Sequence, residues 1–329
     1  MKKIIITLTV ICSAVMFSMP AQAQIKKVGQ TGLQFLKIDV APRPAAMAGA
    51  YTMPGNDASA MFYNPAGISR MENEFDFFAS QTQWFSDITY NAVGVAKNVG
   101  NWGTFGVSIL MADYGNIDGY IVANNANGYE STGTIDVGAY AVGLSYARSL
   151  TNKFSIGGQA KIVNQHLGSS TLVEGGNAVK NEVSGFAFDF GTIFNPGYKS
   201  LQIGMTMNNF SGQFKYEEEA FELPLTFRIG AAMDILDVLV GEHQNPLMLS
   251  VDAIHPRDYT ERVQVGGEYT YNEFVALRAG YKFNYDEESV SLGAGLKQKM
   301  GNVVVKVDYS FSALDVLDNV NRFSLGLSF

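Results

Sequence analysis

A period-two alternation that keeps its charges on one face constrains this chain more than any other feature. In "NVVVKVDYSF", Val303, Val305, Val307, Tyr309 and Phe311 fall on one side, and Lys306 and Asp308 on the other. That spacing predicts a strand with one apolar face. Turning a lysine toward lipid at the bilayer midplane costs roughly 2–4 kcal/mol, and an aspartate less. In a membrane setting the register is therefore fixed, with Lys306 and Asp308 pointing away from lipid. The same rule turns Val263, Val265 and Tyr269 outward and Glu268 inward, and Val275, Leu277 and Tyr281 outward with Arg278 inward. Glu268 and Arg278 flank "YTYNEF" symmetrically, which predicts a pair across neighbouring strands.

Export follows from the start of the chain, and an exported chain with 34 glycines, 22 phenylalanines, 16 tyrosines and alternating segments fits a barrel of the outer membrane. Lys2 and Lys3 precede an apolar run from Ile4 to Met19, and Ala21-Gln22-Ala23 is a small-residue cleavage site. This reads as a secretory signal peptide over residues 1–23, too short and wrongly flanked for a spanning helix. The single cysteine, Cys12, lies inside that run, so the mature chain is expected to carry no thiol or disulfide. Removal of the leader moves the formal charge from −8 to about −10, which argues against nucleic acid as a partner.

Fourteen alternating segments can be counted between residues 75 and 329, from 75–85 to 320–329, with 154–166 and 183–194 among them. If the first rises from the periplasm, the links after even strands read "NVGN", "SLTNK", "NPGYKS", "TYNEF" and "KQKMGN", all turn-like. Longer stretches near 112–133, 167–182 and 210–224 fall at the opposite end. Short turns inside and long loops outside are the pattern of an outer-membrane barrel in a Gram-negative envelope. One link, "LDVLVGEHQNP" at 236–246, is longer and more apolar than its neighbours, and a short helix is expected there. The last segment, "RFSLGLSF", alternates and ends on Phe329, which resembles the assembly signal of such barrels. Trp84 and Trp102 are expected in the interfacial aromatic girdle.

The expectation is thus an all-β transmembrane outer-membrane β-barrel of about 14 antiparallel strands over residues 75–329. Lipid and lipopolysaccharide around it and the barrel-assembly machinery are its implied partners. The polar luminal face is expected to hold Asp189, Arg228, Asp252, Glu268, Arg278, Lys306 and Asp308, with Lys161 and Arg322 also inside. Catalytic and cofactor signatures are missing: there is no P-loop, HExxH or EF-hand pattern. His166, His243 and His255 are scattered and read as loop or strand-end residues, so neither enzyme, metal site nor cofactor is expected. Glu217, Glu218, Glu219 and Glu222 read as a solvated outer loop, with cation bridging to lipopolysaccharide as the functional alternative.

Residues 24–74 do not fit the barrel. They hold Leu33, Phe35, Leu36, Met47, Met61, Phe62, Tyr63 and Ile68, too apolar to lie free. In "YNPAGISRM", Asn64 can cap a short helix with Pro65 in its first turn. A 14-stranded barrel encloses more space than its own side chains fill, so this stretch is expected to fold back as a luminal hatch.

"DASAMFYNPAGIS" resembles the hatch signature of the FadL superfamily of plugged 14-stranded barrels, on Asn64, Pro65 and Gly67. "FLKIDVAPRPAAMAGAYTMPGNDASA" is more similar to the PorV/PorQ family, with Arg43 and the turn Met47-Ala48-Gly49-Ala50. Ala48 stands where that family commonly has glycine, and Pro42 and Pro44 flank the arginine unusually. Asn208, Asn209, Leu223, Pro224, Arg228 and Gly230, and then Glu268, Arg278 and Gly280, continue the likeness along the chain. The resemblance implies a non-enzymatic component of type IX protein secretion and surface attachment. Its implied partners are the translocon and the C-terminal domains of its cargo. The other reading it leaves open is FadL-like transport of hydrophobic small molecules across the outer membrane.

Overall fold

The computed structural model describes residues 29–171 and 178–329, so the expected leader over residues 1–23 lies outside the described residues. The strands are β1 (Phe75–Gln83), β2 (Thr89–Asn98), β3 (Thr104–Asp113), β4 (Ile117–Val122), β5 (Tyr129–Ile135), β6 (Val137–Ser149), β7 (Phe154–Thr171), β8 (Ala178–Phe194) and β9 (Gln202–Phe210). They continue with β10 (Phe214–Lys215), β11 (Ala220–Phe221), β12 (Thr226–Asp234), β13 (Leu247–Pro256), β14 (Arg262–Tyr271), β15 (Val275–Phe283), β16 (Glu288–Met300), β17 (Val303–Leu314) and β18 (Val320–Ser328). Fourteen of them form one closed antiparallel barrel in the order β1-β18-β17-β16-β15-β14-β13-β12-β9-β8-β7-β6-β3-β2. Closure satisfies every strand edge, which is the condition for crossing hydrocarbon with strands.

Alternation sets the faces. In β3, Phe105, Val107, Ile109 and Met111 are exposed on the outside, while Thr104, Ser108, Leu110 and Ala112 are buried inside. The outward residues form the apolar band facing lipid. The seam is closed by Phe75 and Phe329, which exchange backbone hydrogen bonds of 3.0 and 2.9 Å and stack their rings at 5.6 Å.

The end carrying Phe75 and Phe329 has the shorter links and is the periplasmic end; its longest link, after β12, holds the expected helix as one turn over Leu236–Leu239. Two long outer links are not plain loops. Residues between β3 and β6 form the hairpin β4–β5, with Tyr120 edge-on to Tyr129 at 5.4 Å. Those between β9 and β12 form the small hairpin β10–β11, with Phe214 stacked on Phe221. β7 and β8 also run past the expected ends at 166 and 183, because pairing resumes beyond a bulge with Ser169 opposite Lys180. Trp102 is exposed at a periplasmic turn, but Trp84 is not on the girdle. It lies beyond the end of β1, free of the strand alternation, and turns inward onto Tyr90 and Arg322.

Candidate functional site

The lumen is filled by residues 29–74. The chain enters at the outer end, where the Thr31 hydroxyl and Lys37 Nζ donate to Asp258 at 3.0 and 2.8 Å and Gly32 N donates to the Glu222 carbonyl. It then descends through a 3-10 turn (Gln34–Lys37), the helix α1 (Pro42–Ala46) and two more 3-10 turns (Ala58–Phe62 and Pro65–Arg70) into β1. Each turn has a local chemical cause. Pro42 and Pro65 open helices where a missing N–H costs nothing. The side chains of Asp57 and Asn64 accept from Ser59 N and Ala66 N as caps, both at 3.1 Å. Asn64 also donates to the Thr52 carbonyl at 2.8 Å, tying two parts of the segment together. Gly67 packs so closely that an added Cβ would lie 2.7 Å from the Ala60 Cβ. In the turn after α1, Ala48 has φ 55° and Gly49 φ 80°, so the alanine occupies a left-handed position that favours glycine.

The barrel wall receives this segment at glycines. Gly157 of β7 lies directly across from Gly191 of β8. A Cβ on Gly157 would lie 2.4 Å from Ala66 N, and one on Gly191 1.9 Å from Asn64 Oδ1. Gly204 and Gly230 are opposed on β9 and β12, and added carbons would meet the Met53 sulfur at 2.2 Å and the Thr52 Cβ at 2.8 Å. Gly266 and Gly280 are opposed on β14 and β15, with the Met47 carbonyl oxygen and carbon at 2.5 and 2.4 Å from added carbons. Three cross-strand glycine pairs therefore seat the backbone around Asn64–Pro65–Ala66, Thr52–Met53 and Met47–Ala48.

On either side of the Gly266–Gly280 rung the wall is charged. One rung inward, Glu268 faces Arg278 and accepts from it at 2.5 Å. Glu268 also takes Arg43 in a two-pronged pair at 2.7 and 2.8 Å, and Arg278 continues to Asp308 at 2.6 Å. Lys306 reaches Asp57 at 3.3 Å and Asp76 at 3.6 Å. One rung outward, Gln264 faces Lys282, and Lys282 bridges Asp39 at 2.9 Å and Glu288. Arg228 donates to the Gly49 carbonyl at 3.2 Å, Asp252 accepts from Thr52 N and Oγ1 at 2.9 and 2.6 Å, and Arg322 donates to the Asp39 carbonyl at 2.7 Å. The turn at Met47 thus separates an inner cavity of 180 Å³ lined by Glu268 and Arg278 from an outer one of 240 Å³ lined by Gln264 and Lys282. The inner cavity shares Asn56, Glu273 and Lys297 with a periplasmic cleft of 420 Å³.

The other half of the outer lumen is apolar. Leu33 and Phe35 pack there with Tyr90, Leu110, Val163, Val183, Phe214 and Leu223, and Trp84, Tyr114, Tyr216 and Phe221 border them.

Of the seven luminal residues singled out in the sequence, Arg228, Asp252, Glu268 and Lys306 meet the N-terminal segment directly, Arg278 meets it through Glu268, and Asp308 pairs with Arg278. Asp189 stands apart: it pairs with Lys161 at 2.8 Å and accepts from Asn209 N at 2.7 Å within the wall, where Asn209 (φ 64°) forms a bulge against β8. Sequence reasoning passed over Asp39, Asp57, Asp76, Lys282 and the glycine pairs. The available signal was that Asp39 and Asp57 are the two acids between residues 29 and 71.

Burial by itself would raise the Asp39 carboxyl, but Lys282, Arg228 and Arg322 outweigh it and hold it below its ordinary 3.8. A carboxylate depressed on folding stabilises above its unfolded value and loses that contribution as pH falls through the lower folded value. In a Trp102→Phe background, Trp84 fluorescence is therefore expected to stay constant down to about pH 5 and to shift at pH values below the ordinary carboxylate range. A transition near neutrality would contradict this.

A family model described as type IX secretion system membrane protein PorP/SprF matches residues 60–329. No curated protein matches the chain. Among solved structures, the CymD monoaromatic hydrocarbon channel superposes with a TM-score of 0.57 at 13% identity, covering 88% of this chain and 97% of its own. A Pseudomonas aeruginosa FadL homologue gives 0.54 at 12%, covering 89% and 98%. The Pseudomonas putida toluene transporter TodX gives 0.52 at 12%, covering 82% and 92%. At such identity these likenesses establish the barrel fold and nothing of the cargo. The matched family is PorP/SprF and not the PorV/PorQ family of the sequence resemblance, although both lead to the same secretion system. With four-fifths of its length matched by that model, this outer-membrane β-barrel belongs to the PorP/SprF family of type IX secretion system membrane proteins.

Proposed function

We propose that the chain works as a closed, non-enzymatic barrel of the type IX system, with residues 24–74 as its hatch and its outer loops presented to protein partners. In the finer, PorV/PorQ-like form of this reading, those partners are the translocon and the C-terminal domains of secreted cargo. The observation that carries it is the seating of the hatch: three glycine pairs receive its backbone and Arg43, Asp57, Asp39 and Thr52 are held by wall side chains. A segment fixed at so many points suits a barrel that stays shut while proteins are handled around it. The polar half of the lumen also differs from an apolar conduit.

FadL-like transport is the second reading. It is favoured by the apolar outer half, where Leu33 and Phe35 occupy the kind of space a hydrophobic solute would take. Affinity capture of the tagged barrel from native membranes separates the two. Recovery of type IX translocon components or cargo bearing the C-terminal signal is the expected result. Recovery of the barrel alone, carrying hydrocarbon or fatty acid, would overturn it in favour of transport.

A further inference from the structure

The periplasmic link between β12 and β13 is the one that departs from a plain turn, and it gathers three metal-ligating side chains. Asp234 ends β12, Asp237 lies in the one-turn helix α2 (Leu236–Leu239), and His243 follows the Gly241 turn. One ligand atom from each lies within 4.8 Å of the others, the one such group among the described residues. The arrangement is oriented from outside the trio. His243 Nδ1 is 2.7 Å from the Gly241 carbonyl, an acceptor, so that nitrogen carries a proton and donates. The ring is thereby fixed with Nε2 aimed at the two carboxylates, 2.7 Å from Asp234 Oδ2. A carbonyl holding the far nitrogen of an imidazole is the outer-shell device that metal-binding histidines use.

The two carboxylates are differently placed. Asp234 is buried; its Oδ1 accepts from Leu236 N and Leu247 N at 3.1 and 3.0 Å, and its Oδ2 accepts from His243 Nε2 in the metal-free protein, a contact that the ion replaces with release of the Nε2 proton to solvent. Asp237 has no hydrogen bond or ion pair of its own among the described residues, and its carboxylate faces the same point. The geometry points to a divalent transition-metal site, of the Zn²⁺ class, built from Asp234, Asp237 and His243. Bonds of about 2.0–2.1 Å in a tetrahedron put neighbouring donors about 3.3 Å apart, so the Asp234–His243 contact opens by roughly half an ångström on binding. One imidazole with two carboxylates suits zinc and its neighbours, whereas calcium and magnesium prefer all-oxygen shells. Three protein donors leave a fourth position for water or for a group from a partner. The ion would tie the end of β12 to the far side of the link and brace the exposed Val238, Leu239 and Val240 between them.

The test uses the full chain purified in detergent and freed of metal with a chelator. Zn²⁺ is titrated by calorimetry and Co²⁺ by its visible absorption. One ion per chain with a Kd of roughly 1–10 µM is expected, unaffected by excess Ca²⁺. His243→Ala and Asp237→Asn are each expected to weaken it at least about tenfold, while His255→Ala leaves it unchanged. Heat-modifiable gel migration verifies that each variant barrel is folded, and Asp237→Asn removes no structural contact. Absence of binding at about 100 µM Zn²⁺, or binding that survives both ligand variants as an adventitious ion only, would overturn the assignment.

Discussion

Gly157→Val should unseat the hatch without preventing the barrel from forming. Its first added carbon alone would lie 2.4 Å from Ala66 N, 2.5 Å from the Pro65 carbonyl carbon and 2.6 Å from the Ala66 Cα. These are backbone atoms, so no side-chain rotation relieves the clash. The wall cannot retreat either, because β7 is hydrogen-bonded to β6 on one side and β8 on the other. What gives is the Asn64–Ala66 turn, which then loses its cap and its bond to the Thr52 carbonyl. Overpacking of this kind costs about 1–3 kcal/mol, which raises the unseated population by roughly 5–150-fold. The readouts are increased sensitivity of cells to large hydrophilic antibiotics and faster hydrogen exchange over residues 50–70. Gly158→Val is the control. It sits one residue along the same strand but faces outward, and an added carbon there meets nothing closer than 3.6 Å. If the two variants behave alike, the glycine seat is not what holds the hatch.

That pair of neighbours also shows what was and was not legible beforehand. Lipid excludes charge so strongly that Lys306, Asp308, Glu268 and Arg278 each declared their face from one strand's alternation, and the Glu268–Arg278 pairing followed from the turn between them. Glycine declares no face. Gly157 and Gly158 are identical in the sequence, and which of them meets Ala66 depends on register across β6, β7 and β8 together. The chain's 34 glycines therefore give no sign of their roles in the sequence, although the inward members form a mould for one particular segment. Asn64 and Pro65 were visible as a cap and a helix start because those are local chemistry. Their partners, 90 to 130 residues away, were not.

The hairpins were missed for a different reason. β4–β5 stands outside the membrane, so its residues escape the lipid rule that made the other strands readable, and Asp118 and Glu130 interrupt its apolar pattern. β10–β11 has two residues per strand, held by Phe214 and Phe221, which stack on each other and join the apolar cluster of Leu33 and Phe35. Its order comes from the segment it covers, which no window of local sequence contains.

Glu268→Ala is the substitution expected to damage stability most, and more than Arg43→Ala. Glu268 accepts from two guanidinium groups at once, Arg43 at 2.7 and 2.8 Å and Arg278 at 2.5 Å. Without it, two cations are left beside each other at the inner cavity with no carboxylate between them. Arg278 keeps Asp308, but Arg43 is left without a direct carboxylate partner, holding the Asn56 side chain at 3.4 Å and lying over the Tyr51 ring at 5.5 Å. Removing one partner from a buried pair costs about 3–5 kcal/mol, because the remaining charge stays desolvated and uncompensated. Arg43→Ala removes the less buried end instead and leaves Glu268 still paired with Arg278, so its cost is expected toward the lower part of that range. Replacing the pair together, Arg43→Met with Glu268→Met, tests the same logic from the other side. It leaves no orphaned carboxylate, and Arg278 still has Asp308, so the double variant should be more stable than Glu268→Ala alone. Thermal unfolding of the three proteins in detergent, followed by loss of the compact gel form, gives the order directly. Arg43→Ala falling below Glu268→Ala, or a double variant no better than Glu268→Ala, would show that the charge ladder between hatch and wall is not what carries the stability of this side of the lumen.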